Sequence, residues 1–129
     1  MAIKDLNELI KNMQPELVDK GFVFCTTNKS IDIKIAPKMV FREKEGTTLI
    51  LKKEQAEEYN LKYEGVWDMI TLNVNSDLEA TGFLVKITEV LAKAKISINA
   101  VSAYYHDYLF VPSSKSEEAI KILKESTNQ

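Results

Sequence analysis

The stretch from Trp67 to Leu123 leaves the fewest choices of fold. It opens with "WDMITLNVN", in which Ile70, Leu72 and Val74 alternate with Met69, Thr71 and Asn73, as in a strand with one face buried. "SDLEATGFLVKITEVLAKAKIS" follows, with Leu84, Ile87, Leu91 and Ala94 at steps of three and four. That spacing puts one apolar stripe on one face and predicts a helix over residues 79 to 94. "ISINAVSAYY" and "YLFVP" are rich in β-branched and aromatic residues and are separated by a few residues around His106, the pattern of a hairpin. Ser114-Lys115-Ser116-Glu117 then reads as a capping box, with Ala119, Ile120 and Leu123 as the buried stripe of a last helix. The order is strand, helix, strand, strand, helix.

The N-terminal half repeats part of this order. "MVFREKEGTTLILKK" predicts two short strands around Glu45-Gly46, and "KEQAEEYNL" a short helix directly behind them. "EGTTLILKKEQAEEYNL" and "HDYLFVPSSKSEEAIKIL" share a turn, an apolar strand, a polar break and a helix with Ala and paired glutamates, a weak internal repeat. Ahead of it lie a helix at residues 3 to 13, with Ile3, Leu6, Ile10 and Met13 as its stripe, and the strand "FVFCTT" after Gly21. "NKSIDIKIAPK" is too short for a crossover helix with its turns, so the first half lacks the long helix of the second. Few and polar residues follow Leu123, leaving no closing strand there; a segment such as "GFVFCTT" is expected to complete the sheet and interlock the halves.

Composition excludes several function classes. Net charge is −2, with 17 Lys and Arg scattered among 19 Asp and Glu, so no basic stripe is available for phosphates or anionic lipid, and no nucleic acid and no membrane partner is expected. No apolar run has the length of a signal peptide or a membrane span, which makes the cytoplasm the expected location. Cys25 is alone, inside the apolar "FVFC", and reads as a small buried hydrophobe. Trp67, Tyr104, Tyr105 and Tyr108 do not reproduce the spacing of an RNA-binding sheet; they fit a sheet face that packs against another sheet.

The only histidine stands beside a carboxylate in "AYYHDYLFV". Neighbouring side chains of a strand point to opposite faces and those of a tight turn splay outward, so His106 and Asp107 do not share one proton or one metal. No second histidine or cysteine completes a metal site, and no serine sits in a nucleophile elbow. No catalytic residue, cofactor or metal is assigned. The plain reading is that His106 and Asp107 build a turn, with Asp107 bonding backbone N–H groups. In "NSDLEATG", Ser76 or Asp77 is a candidate helix cap, and Gly82 removes a side chain where something approaches closely. A capped helix start with free N–H groups also receives a carboxylate.

"REKEGTTLIL", the "SDLEATG" loop, the "ISINAVS" strand, the "YYHDYLFVP" hairpin and the trailing "AIKIL" resemble the small bacterial proteins made of paired ACT modules, and are similar to the ACT regulatory domains of aspartate kinase. The resemblance covers nearly the whole chain. It implies an α+β, ferredoxin-like fold of the ACT type (βαββαβ) in two interlocked modules: a degenerate one at residues 1–65 and a second at 66–129. It further implies an amino acid or similar small metabolite as ligand, gripped where modules meet. The helix start would receive its carboxylate and Asp107 or Glu79 its ammonium group; Ser76, Asp77, Leu78, Glu79 and Gly82 of the loop and helix start would line the site, with Asn99 and Ser102 beside it, although alternation lets only one of these two face a given pocket. A homodimer is expected, as is a partner enzyme to receive the signal, since no catalytic domain is attached. Two rivals stand beside this reading: a structural or oligomerisation module that docks a protein and binds no ligand, and a small enzyme with His106 as base, which nothing in the spacing supports.

Overall fold

The computed structural model describes residues 5–30, 34–74 and 82–127. Among these, α1 (Leu6–Asn12) is followed by β1 (Pro15–Thr27), β2 (Met39–Arg42), β3 (Thr47–Lys52), α2 (Lys53–Glu58), β4 (Trp67–Leu72), α3 (Phe83–Lys93), β5 (Asn99–Ser102), β6 (Asp107–Pro112) and α4 (Ser116–Ser126). The chain divides into two compact units, one of residues up to Asp19 and from Asp68 onward, the other of Lys20–Trp67.

In the first unit the strands run β1-β4-β6-β5, with β1 represented by its residues up to Asp19. The succession β4-α3-β5-β6-α4 is the split β-α-β plan of an α+β, ferredoxin-like fold. Its core is made by the periodicities in the sequence. Ile70, Leu72 and Val74 come from β4, Phe83, Ile87 and Leu91 from α3, Leu109 and Val111 from β6, and Ala119 and Leu123 from α4, with Leu9 and Met13 added by the N-terminal helix. Each fully buried Leu, Ile or Phe contributes roughly 1.5–3 kcal/mol by leaving water. Asp5 caps α1, its Oδ1 accepting from the Glu8 N–H at 3.0 Å.

In the second unit β1 and β3 pair antiparallel from Phe22 opposite Lys52 to Thr27 opposite Thr47, and β2 pairs the other edge of β3. Val23, Cys25, Leu49 and Leu51 make one core face, covered by Ala56 of α2 and by Ile35. Between Thr27 and Met39 no helix occurs among the described residues. The β2–β3 turn closes by an N–H of Glu43 donating to Gly46 O at 2.8 Å, and the space at Gly46 is tight: a Cβ would stand 2.8 Å from Asn28 Oδ1 and 3.0 Å from Thr26 Oγ1, so those side chains would have to move.

Several local expectations are corrected. The first strand begins at Pro15, so "PELVDK" is strand as well as "FVFCTT". β4 is not half-buried: Met69 and Thr71 are buried like Ile70 and Leu72, on the face that also carries the buried Phe110 of β6. The capping box does not form. Ser113–Lys115 make a 3-10 turn, Lys115 occupies the N-cap of α4 without a side-chain bond, and the buried Ser116 hydroxyl donates instead to Ser113 O at 3.1 Å. The helix described as α3 starts at Phe83, with Gly82 as its N-cap, while Ser76 and Asp77, the expected caps, lie outside the described residues.

Candidate functional site

Of the residues singled out from the sequence, Asn99, Ser102, His106 and Asp107 lie on the β5–β6 hairpin of the first unit and Gly82 at the start of α3. β5 and β6 pair from Asn99 opposite Phe110 to Ser102 opposite Asp107. The hairpin closes with the Ala103 N–H donating to His106 O at 3.0 Å, which leaves Tyr104 and Tyr105 at the tip, exposed and packed edge to face at 5.0 Å. Leu109 and Val111 face the helix-covered core, and alternation puts Asp107 on that same face, where it is buried to 6% exposure. His106 lies on the other face with Tyr108, their rings 6.4 Å apart. The two neighbours therefore point apart, as the sequence pattern requires.

His106 Nδ1 lies 3.3 Å from the carbonyl oxygen of Val74. A carbonyl only accepts, so Nδ1 carries the proton and, in the neutral ring, Nε2 is left as an acceptor. The contact seats the hairpin against the chain just past β4. On the far side of residues 75–81 the chain re-enters at Gly82, whose φ of +83° is a left-handed conformation, and whose carbonyl accepts the first bond of α3 from the Lys86 N–H at 3.0 Å. The N–H groups of Phe83, Leu84 and Val85 precede that bond and have no acceptor within the helix. Among the described residues a Cβ on Gly82 would meet only Leu6 Cδ2 at 3.6 Å, an ordinary contact, so what they show favouring glycine there is the backbone angle.

Ser76, Asp77, Leu78 and Glu79 lie outside the described residues. Asn99 and Ser102 are both exposed on β5, and the register separates them: Ser102 shares the face of Asp107, Asn99 that of Phe110. Cys25 is buried in the second unit, and burial pushes its thiol above the ordinary value. Among the described residues no group of three His, Cys, Asp or Glu is placed to hold a metal ion, and no helix is long and apolar enough to cross a membrane.

Two polar arrangements went unread in the sequence. Asp68, buried at the start of β4, accepts from the Ser113 hydroxyl at 2.7 Å. Asn73 Nδ2 donates to Gln14 O at 3.0 Å and to Glu16 Oε2 at 2.8 Å, fastening the turn between α1 and β1 to the end of β4. Both join residues at least 45 apart in sequence, and neither has a local signal beyond a polar residue in or just past a buried strand.

Comparison with known proteins gives two family matches. Residues 1–68 match one family model of the ACT domain, and residues 64–125 match a second. Among solved structures, a protein of unknown function from Vibrio cholerae, described as a possible transport protein, is 36% identical, with a TM-score of 0.87 over 96% of this chain and 97% of that one. A protein from Agrobacterium tumefaciens shares the fold at 15% identity, with a TM-score of 0.70 over 84% of each chain. The regulatory subunit of aspartate kinase from Thermus thermophilus, in its ligand-free form, shares it at 12% identity, with a TM-score of 0.61 over 87% of this chain and 96% of that one. No curated protein matches the chain.

Proposed function

The chain belongs to the ACT domain family, and from that premise we propose that it is a regulatory protein without catalytic activity that binds an amino acid and signals to a separate partner enzyme. The observation that carries the reading is the contact of His106 with Val74, which holds the hairpin bearing Asp107 beside the strand that leads toward Gly82 and the start of α3. An α-amino acid presents a carboxylate and an ammonium group. The N–H groups of Phe83 to Val85, with the helix dipole behind them, receive the carboxylate. Asp107 receives the ammonium group, with Ser102 on the same face of the hairpin. Ser76, Asp77, Leu78 and Glu79 are assigned to this site on the sequence pattern alone, and Asn99 to its rim.

The protein acts in the cytoplasm as a homodimer. Support for the dimer comes from β2 and β5, each paired on one edge within its unit, and from the exposed Val40 and Phe41 on β2. A second reading, a docking module that binds no small molecule, draws on the exposed Tyr104 and Tyr105 at the hairpin tip. A thermal-shift screen of the full chain against the amino acids separates the two. A ligand that binds only the folded state at a hundredfold excess over Kd stabilises it by about 2.7 kcal/mol, so one amino acid or a related group is expected to raise Tm. No rise with any of them favours docking alone.

A further inference from the structure

A polar cavity of about 370 Å³ opens in the first unit between the α1–β1 turn, the chain just past β4 and the end of α4. That volume is within the roughly 300–1,000 Å³ range of small-molecule sites. Lys11, in the last turn of α1, and Lys124, in the last turn of α4, both line it. Neither ammonium has an ion-pair or hydrogen-bond partner among the described residues. Glu16 lines the same cavity and likewise has no cation partner among them; its Oε2 accepts only from Asn73 Nδ2. Because both protons of the Asn73 amide are committed, to Gln14 O and to Glu16, its orientation is set and its Oδ1 remains an acceptor.

Two cations, one carboxylate and one amide oxygen make a wall that complements a small molecule with two carboxylates and one ammonium group. We propose that this cavity binds an acidic α-amino acid, its two carboxylates at Lys11 and Lys124 and its ammonium group at Glu16 and Asn73 Oδ1. A simple anion such as phosphate leaves the Glu16 carboxylate facing like charge. A basic amino acid brings a second ammonium group against two lysines. The site shares no residue with the one assigned at α3 and the hairpin, and the proposal does not rest on that assignment.

Calorimetric titration of the full chain with L-aspartate, L-glutamate, succinate, inorganic phosphate and L-lysine tests it. Binding of L-aspartate or L-glutamate is expected, with the other three at least about tenfold weaker. Lys11→Met and Lys124→Met, on exposed side chains, are each expected to weaken it by about tenfold through loss of a charge-assisted bond, while Lys11→Arg and Lys124→Arg retain it. The proposal is overturned if neither acidic amino acid binds, if succinate or phosphate binds as tightly, or if binding survives both methionine substitutions unchanged. The last outcome moves the acidic ligand to another site and leaves the effector reading of the hairpin standing.

Discussion

His106 and Val74, 32 positions apart in the chain, meet through a ring nitrogen and a backbone carbonyl at 3.3 Å. The bond sets the imidazole tautomer and joins the loop end of the β5–β6 hairpin to the chain where β4 gives way to residues 75–81. Asp107, one residue on, is turned to the opposite face and buried. The histidine thus fixes the hairpin from one side of the sheet while the carboxylate is presented on the other.

Removing that tie has a measurable consequence. His106→Ala leaves the Val74 carbonyl without the ring donor and is expected to lower stability by about 1 kcal/mol, seen as a lower urea midpoint at an unchanged slope. A midpoint equal to the parent's would mean that the contact does not hold the hairpin.

Asp68 and Ser113 join the start of β4 to the turn after β6, with the carboxylate buried. Ser113→Ala takes one donor from that carboxylate and is expected to cost about 1–3 kcal/mol. Chemical denaturation of the variant reads this directly; a loss well under 0.5 kcal/mol, the ordinary range of surface substitutions, would show that the bond is dispensable.

Gly82 holds a left-handed angle, and among the described residues a methyl group there would make only an ordinary contact. The penalty for Gly82→Ala is therefore conformational, about 1–2 kcal/mol, and Gly82→Asn is expected to cost less because asparagine tolerates that region. Equal losses for Ala and Asn in thermal unfolding would point to crowding instead.

Cys25 is buried at 4% exposure with its thiol pushed up by burial. The native protein is expected to react with a thiol reagent far more slowly than the unfolded chain. The folded state keeps its proton where the unfolded state loses it, so this contribution to stability is full below the unfolded thiol value of about 8.5 and declines as pH rises past it. Native labelling as fast as in denaturant would contradict the burial.

The main elements were legible because their signals are local. The period-2 and period-3.6 patterns of Ile70, Leu72, Ile87 and Leu91 name the core of the first unit, and Glu45-Gly46 names the β2–β3 turn. What escaped depends on neighbours distant in sequence. Burial of Met69 and Thr71 shows that β4 is covered on both faces, which alternation alone does not reveal. Ser113–Lys115 tighten into a 3-10 turn and Ser116 is pulled inward, displacing the capping box that the motif suggested. In the candidate site, the opposition of His106 and Asp107 was readable from strand geometry. The partner of His106 was not, because a backbone carbonyl carries no mark in the sequence.

The central claim is that the start of α3 and the hairpin grip one amino acid. Amide chemical shifts of the isotopically labelled protein, followed while the amino acid that raises Tm is added, test it most directly. The account predicts that Phe83, Leu84, Val85 and Asp107 move together with one saturation curve, and that Asp107→Asn abolishes the response. Saturable binding that leaves all four amides where they were would contradict it.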